Sequence, residues 1–248
     1  MDIYGLIGKK LPHSKSPEYF NQRFEKEGID AEYRLFEIDD SEKIHDILNN
    51  NPNLKGLNVT IPYKRSLNSI VDISSQKVQQ TGALNCLKIE EKNGQRVIYA
   101  HNTDIVGLER SLKPLVEKNP GIRALILGTG GSAHTAAYVF RKLGVFYYFV
   151  SRTPAKVEHM SYSWLNKAFM SEYRLIINCT PIGMYPNVDQ APEIPFEFIN
   201  SNNICFDCVY NPEDTLFLKR SRLNGAQTIS GKQMFEDQAN ASWNIWMH

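Results

Sequence analysis

The sequence carries almost no net charge and no long hydrophobic run. Lys plus Arg number 28 against 27 Asp plus Glu, a formal net charge of +1. That balance gives no reason to expect nucleic acid or a membrane surface as a partner. No apolar stretch reaches the roughly 20 residues that a membrane-spanning helix needs. The start, Met1-Asp2-Ile3-Tyr4-Gly5, lacks the basic region and apolar core of a signal peptide, so a cytoplasmic location is expected. Cysteine is scarce: Cys86, Cys179, Cys205 and Cys208 read as buried or pocket thiols of a reducing compartment. Cys205 and Cys208 have C-x-x-C spacing, but no second pair or nearby histidine completes a zinc set, so no metal site is expected. Internal repeats and low-complexity segments are absent, and 248 residues suffice for one large domain or two small ones.

What is present is organised around Leu57-Asn58-Val59-Thr60-Ile61-Pro62-Tyr63-Lys64. Its first five residues alternate apolar and polar, the period of a strand, so Leu57, Val59 and Ile61 share one face and Asn58 and Thr60 the other. Pro62 cannot donate to a ladder and should end the strand, leaving Tyr63 and Lys64 just past its carboxyl end. In open α/β sheets ligands bind there. An edge strand with a polar solvent face and a surface lysine is the other reading of this stretch.

Before it, Ile3–Ile7 reads as a buried strand. Ser16 and Pro17 open a helix that stops at Gly28, with Ser16 as its N-cap. Hydroxyls at Ser14 and Ser16 beside that N-terminus form an anion seat, or else Ser16 only caps and Ser14 is solvated. Residues 31–38 read as a second strand and 41–49 as a helix capped by Ser41. Helical segments follow Lys64 as far as Gln80, and Thr81–Leu87 turns back into a strand. Asn93-Gly94 predicts a hairpin, and Asp104 caps a helix over 105–116. Strands alternating with helices predict a mostly parallel sheet.

The second half opens on a strand over 121–127 followed at once by Gly128-Thr129-Gly130-Gly131-Ser132-Ala133 and a helix. This G-x-G-x-x-A turn lets the backbone approach a pyrophosphate at a helix N-terminus, which predicts dinucleotide binding. The next strand, 145–150, ends in Ser151-Arg152-Thr153, with Lys156 beyond. An acidic residue there would favour NAD, whereas a guanidinium pairs with a 2′-phosphate and so favours NADP. Buried strands follow at 175–178 and 203–209, then a helix at 215–224, a strand at 227–229 and a Trp-rich helix at 233–246.

The chain resembles shikimate dehydrogenase over nearly its whole length. The resemblance rests on His13-Ser14-Lys15-Ser16-Pro17, the Asn58–Lys64 stretch, Gly82-Ala83-Leu84-Asn85, Asn102-Thr103-Asp104, the glycine turn, Asn178-Cys179-Thr180-Pro181-Ile182-Gly183-Met184, Asp207-Cys208-Val209-Tyr210-Asn211-Pro212 and Gly231–Gln238. It implies an α/β protein with a substrate-binding domain of residues 1–103 plus 231–248 and a Rossmann-like NADP-binding domain of residues 104–230. It implies reversible NADPH-dependent reduction of 3-dehydroshikimate to shikimate, in aromatic amino-acid biosynthesis, by a monomer or homodimer acting on a small molecule. Carried over by position, Ser14 and Ser16 hold the substrate carboxylate with Thr60 and Tyr210. Asn58, Asn85, Asp104 and Gln238 bond the ring hydroxyls, and Lys64 and Asp104 are the catalytic pair. Gly128, Gly130, Gly131, Ser132, Ala133, Ser151, Arg152, Thr153, Lys156, Thr180, Met184 and Gly231 line the cofactor.

Some positions depart from the family pattern. Ser151 replaces the usual Asn, Lys156 a frequent second Arg, and His134 a common Arg or Lys. They bear on the strictness of NADP preference and leave the substrate residues untouched. Two rivals are a relative that accepts quinate or uses NAD, and a catalytically silent NADP-binding sensor.

Overall fold

The computed structural model describes residues 1–248. They divide into two compact units, Met1–Thr103 with Gln238–His248, and Asp104–Asp237. In the first unit the apolar run after Asp2 forms β1 (Asp2–Gly8), followed by α1 (Ser16–Glu27), β2 (Ala31–Glu37), α2 (Ile44–Asn50) and β3 (Leu54–Val59). Then come β4 (Ile73–Ser74), α3 (Gln76–Thr81), β5 (Cys86–Lys92) and β6 (Gln95–His101). The sheet order is β2-β1-β3-β5-β6-β4. β1 pairs in parallel with both β2 and β3, while β5 lies antiparallel to β3 and β6. The hairpin between β5 and β6 turns through Asn93 and Gly94, both at positive φ, as the Asn-Gly pair predicts.

One face of this sheet buries Ile7, Leu57, Val59 and Leu87 with Ile44, Leu48, Leu67 and Val78. The other buries Tyr4, Leu6 and Tyr33 against Phe20, Phe24, Ala239, Trp243 and Trp246. The strand around Asn58 is therefore interior, and the edge-strand reading fails. It also starts earlier and stops sooner than the alternation suggests, because Ile61 lies beyond the ladder and is exposed. Trp246 closes this face. Its Nε1 donates to the Leu87 carbonyl at 2.9 Å, and a Cβ on Gly56 would lie 2.4 Å from that nitrogen. Gly56→Ala is expected to destabilise the protein by about 1–3 kcal/mol, the usual cost of overpacking. A lowered melting temperature with altered tryptophan emission would report it; an unchanged midpoint would contradict it.

Three caps differ from expectation, the third being Asp104, which is the first residue of its own helix (Asp104–Lys118) rather than a cap before it. Asp40, not Ser41, accepts the first amide of its segment, from Glu42, because its carboxylate sits one residue earlier on extended backbone. That segment opens as a 3₁₀ turn over Ser41–Lys43 before α2. Ser16 is the first residue of α1 rather than its cap, and the Ser14 Oγ accepts the Ser16 amide at 3.2 Å.

The second unit begins with α4 (Asp104–Lys118) and continues through β7 (Ala124–Leu127), α5 (Gly131–Lys142), β8 (Tyr147–Ser151), β9 (His159–Ser161) and α6 (Lys167–Glu172). It ends with β10 (Leu175–Asn178), β11 (Ile204–Asp207), α7 (Leu216–Leu223), β12 (Gln227–Ile229) and α8 (Lys232–Met247), which passes into the first unit at Gln238. All six strands are parallel, in the order β12-β11-β10-β7-β8-β9. Read from β7 this is the Rossmann order 3-2-1-4-5-6, with the chain reversing direction between β7 and β10. Apolar residues of α4 and α5 cover one face, and Met160, Met170, Phe217 and Leu218 cover the other. No helix is long and apolar enough to cross a membrane.

Candidate active site

In the first unit the chain moves from β1 to β2 on one side and to β3 on the other, so the sheet's switch point lies between β1 and β3. The carboxyl ends of those two strands are the expected ligand position. Thr60 follows β3 and donates its amide to Ile7 O at 2.9 Å. Ser14 is half-buried and Ser16 buried, on the connection from β1 into α1.

Lys64 is placed by its neighbours. Tyr63 is buried and donates its hydroxyl to Ile38 O at 2.7 Å, while the Lys64 carbonyl accepts from Leu84 N at 2.7 Å. The half-buried Lys64 side chain thus leaves a backbone fixed on both sides.

Behind it runs a buried amide network. Asn85 accepts the Thr103 amide on Oδ1 at 2.6 Å and donates Nδ2 to Thr103 Oγ1 at 2.8 Å and to Gln238 Oε1 at 3.3 Å. Asn58 donates Nδ2 to Ser242 Oγ at 2.9 Å and to Asn85 O at 3.2 Å, and accepts the Tyr33 hydroxyl on Oδ1 at 2.8 Å. Both N–H groups of Asn58 therefore act inside the protein. Tyr33, Thr103 and Ser242 are members of this network that sequence reasoning missed. The period of α8, which puts Ser242 one turn beyond Gln238, was the available signal.

Asp104 and Tyr210 belong to the second unit, and the other expected substrate residues to the first. Asp104 is buried at the first position of α4. The Tyr210 ring stacks on Phe235, centroids 4.3 Å apart.

The glycine turn sits at this unit's own switch point, between β7 and α5. Gly128 has φ +102, and a Cβ there would lie 3.0 Å from Thr180 Cγ2. A side chain is excluded by conformation and by space. Gly130 is the N-cap of α5 and makes no side-chain cap hydrogen bond, and a Cβ there would meet nothing within 4 Å. An open helix N-terminus of this kind fits a pyrophosphate. Gly131 and Ser132 are half-buried in the first turn of α5. Ala133 is fully buried, which permits close packing of helix on sheet. Ser151 is buried and accepts the Thr153 amide at 3.1 Å, whereas Arg152, Thr153 and Lys156 are exposed beyond β8. Gly231 precedes α8, and a Cβ on it would lie 2.7 Å from Cys208 O.

A second buried clamp holds the loops after β10 and β11. Asn178 Oδ1 accepts from Thr180 N at 3.0 Å and Thr180 Oγ1 at 2.6 Å. Its Nδ2 donates to Asp207 Oδ1 at 3.0 Å. Asp207 also accepts from Val209 N at 2.9 Å and Thr215 Oγ1 at 2.6 Å. Thr180 is thereby fixed, and exposed Met184 lies four residues further along the same loop. Burial outweighs these donors and pushes the Asp207 carboxyl up to about 7 from the ordinary 3.8. Folded Asp207 then binds more protons than the unfolded chain between those values. Its effect is to make stability fall as pH rises from about 4 to about 7, and to stay flat above. Asp207→Asn is expected to remove that slope, on the order of 1–4 kcal/mol. Melting temperatures of both proteins at about pH 4.5 and about pH 8 check it; equal slopes would contradict it.

Cys205 points into the core of one sheet face, and Cys208 packs on the opposite one. The C-x-x-C pair thus cannot share a ligand, and no metal-holding group of His, Cys, Asp or Glu occurs.

The chain is similar to known proteins. The family model described as shikimate dehydrogenase substrate binding domain matches residues 6–87. A shikimate dehydrogenase (NADP(+)) of Methanococcus aeolicus is 32% identical over 259 residues, covering 98% of this chain and 91% of that protein. The solved shikimate dehydrogenase 1 of Peptoclostridium difficile superposes with a TM-score of 0.85 at 33% identity, covering 100% of this chain and 92% of that one. A shikimate dehydrogenase solved in complex with NADP+ gives 0.80 at 28% identity, covering 99% and 90%.

Proposed function

This chain belongs to the shikimate dehydrogenase family, and from that premise we propose that it reduces 3-dehydroshikimate reversibly to shikimate with NADPH, in the shikimate pathway of aromatic amino-acid biosynthesis. The observation that carries the reading is the Rossmann-order sheet whose glycine turn lies at its switch point, in one chain with the polar cluster at the carboxyl ends of β1 and β3.

NADPH would supply the hydride when bound. The amides of Gly130 and Gly131 at the start of α5 hold its pyrophosphate, and Arg152, with Lys156, pairs with its 2′-phosphate. Ser151 holds the Thr153 amide and so shapes that turn. Thr180, Met184 and Gly231 line the remaining length.

On the substrate side Ser14, Ser16 and Thr60, with Tyr210, take the carboxylate. Asn85 and Gln238 meet ring hydroxyls, together with Asp104. Asn58 keeps only acceptor capacity on Oδ1, so its main part is to hold Asn85 in place. A site built to pair with several hydroxyls discriminates strongly, because an analogue leaves buried polar groups unsatisfied.

As the carbonyl carbon becomes tetrahedral, charge develops on its oxygen. The Lys64 ammonium stabilises that charge and donates the proton. In the oxidation direction neutral Lys64 takes it back, with Asp104 as its catalytic partner. The substrate-binding role falls to residues 1–103 with the end of α8, and the cofactor role to the second unit. The enzyme acts in the cytoplasm, as a monomer or homodimer, on a small molecule and without nucleic acid. A silent sensor would gain nothing from a lysine whose backbone is held on both sides. Loss of NADPH absorbance on adding 3-dehydroshikimate tests the reading. NADPH binding without such loss would contradict it.

A further inference from the structure

Cys179 and Cys208 have no part in this chemistry, yet their sulfurs lie 3.7 Å apart as free thiols. The parallel register explains why. Asn178 faces Asp207 across β10 and β11, and the Cys208 amide continues the ladder to Asn178 O at 2.9 Å. Cys179 and Cys208, the first residues past the two strand ends, are therefore neighbours. Adjacent strands run about 4.8 Å apart, within the Cα range that a disulfide spans. We propose that Cys179 and Cys208 form a reversible disulfide on exposure to a peroxide, and that this bond weakens NADP(H) binding.

The chemistry balances with the peroxide as oxidant. Cys208, the less buried residue of the pair, attacks one peroxide oxygen as its thiolate, giving a sulfenic acid and one water; the Cys179 contact and burial hold its thiol well above the ordinary range, so the step is slow at neutral pH and faster in alkali. The Cys179 sulfur then attacks Cys208, forms the S–S bond and expels the second water. Two thiols lose two electrons, and the peroxide is reduced to two waters. Bond formation draws the sulfurs together by about 1.7 Å. Both backbones border glycines of the nucleotide-binding unit. Cys179 C and O stand 3.6 Å from where a Gly128 Cβ would be, and Cys208 O stands 2.7 Å from where a Gly231 Cβ would be. Any shift therefore reaches two glycines that the cofactor reading assigns to nucleotide contact. Cys86 and Cys205 are fully buried in separate cores and serve as internal controls.

The effect on binding rests on the proposed function; the bond itself does not. The whole protein is treated with hydrogen peroxide, alkylated under denaturing conditions and mapped by mass spectrometry, with NADPH fluorescence titration in parallel. Expected are a mass loss of about two hydrogens, one linked peptide pair joining Cys179 to Cys208, and an NADPH Kd raised about tenfold, restored by dithiothreitol. Cys179→Ser and Cys208→Ser should each show the same Kd before and after peroxide. Failure of all four thiols to change, or linkage through Cys86 or Cys205, would overturn the site. Linkage with an unchanged Kd would overturn the coupling. Linkage in a protein that binds no NADPH when reduced would support the dithiol pair while contradicting the cofactor assignment.

Discussion

Lys64→Ala is expected to lower kcat by roughly 10²–10⁴-fold, the range that positioned acid–base groups supply, with little change in KM for NADPH. The physical basis is the transient alkoxide. Without an ammonium beside it, that charge must be met by water. Lys64 can serve because it is held. Tyr63 anchors to Ile38 O and the Lys64 carbonyl to Leu84 N, so the side chain starts from a fixed point. Lys64→Arg separates charge from proton transfer. A guanidinium keeps the charge but does not titrate in this range, so it should restore substrate affinity and leave turnover low. Steady-state kinetics of both variants check this. A near-normal kcat with only weaker substrate affinity in Lys64→Ala would show that the lysine orients rather than protonates.

Arg152→Ala is expected to raise KM for NADPH by roughly 10–100-fold, the loss of a charge-assisted contact to phosphate, and to leave KM for NADH nearly unchanged. The side chain lies exposed just past β8, at the position where an NAD site places its carboxylate. Lys156 supplies a second positive charge, so the double variant should lose more than Arg152→Ala alone. Equal effects on both nucleotides would mean that Arg152 acts through adenine stacking or local structure instead. Ser151 sets this turn by accepting the Thr153 amide, which accounts for a small hydroxyl residue being buried there.

Local signals carried far in this chain. The Asn93-Gly94 hairpin, the stop at Gly28 and the glycine turn between β7 and α5 are each fixed by backbone requirements within a few residues. Alternation around Val59 showed a strand but not its neighbours. Whether Asn58 faced water or protein depended on Ser242, which lies far along the chain on α8. The same holds for Asp207. Its sequence neighbours give no hint of its buried bonds: the pairing of β10 with β11 brings Asn178 to it, and the start of α7 brings Thr215. For the cysteines, the C-x-x-C spacing carried no information about which thiols meet. Cys205 lies on β11 and packs in one core, while Cys208, just past the strand's end, packs on the opposite face and meets Cys179. Capping was legible to within a residue: Asp40 and Ser41 both suit the role, and only the extended backbone at Asp40 decides between them.

The central claim is most directly tested by the initial rate of nicotinamide reduction in four assays that pair shikimate or quinate with NADP⁺ or NAD⁺. Shikimate with NADP⁺ is predicted to dominate, with the other three pairings far slower. Comparable rates with quinate or NAD⁺, or no shikimate-dependent rate with either nucleotide, would contradict the assignment.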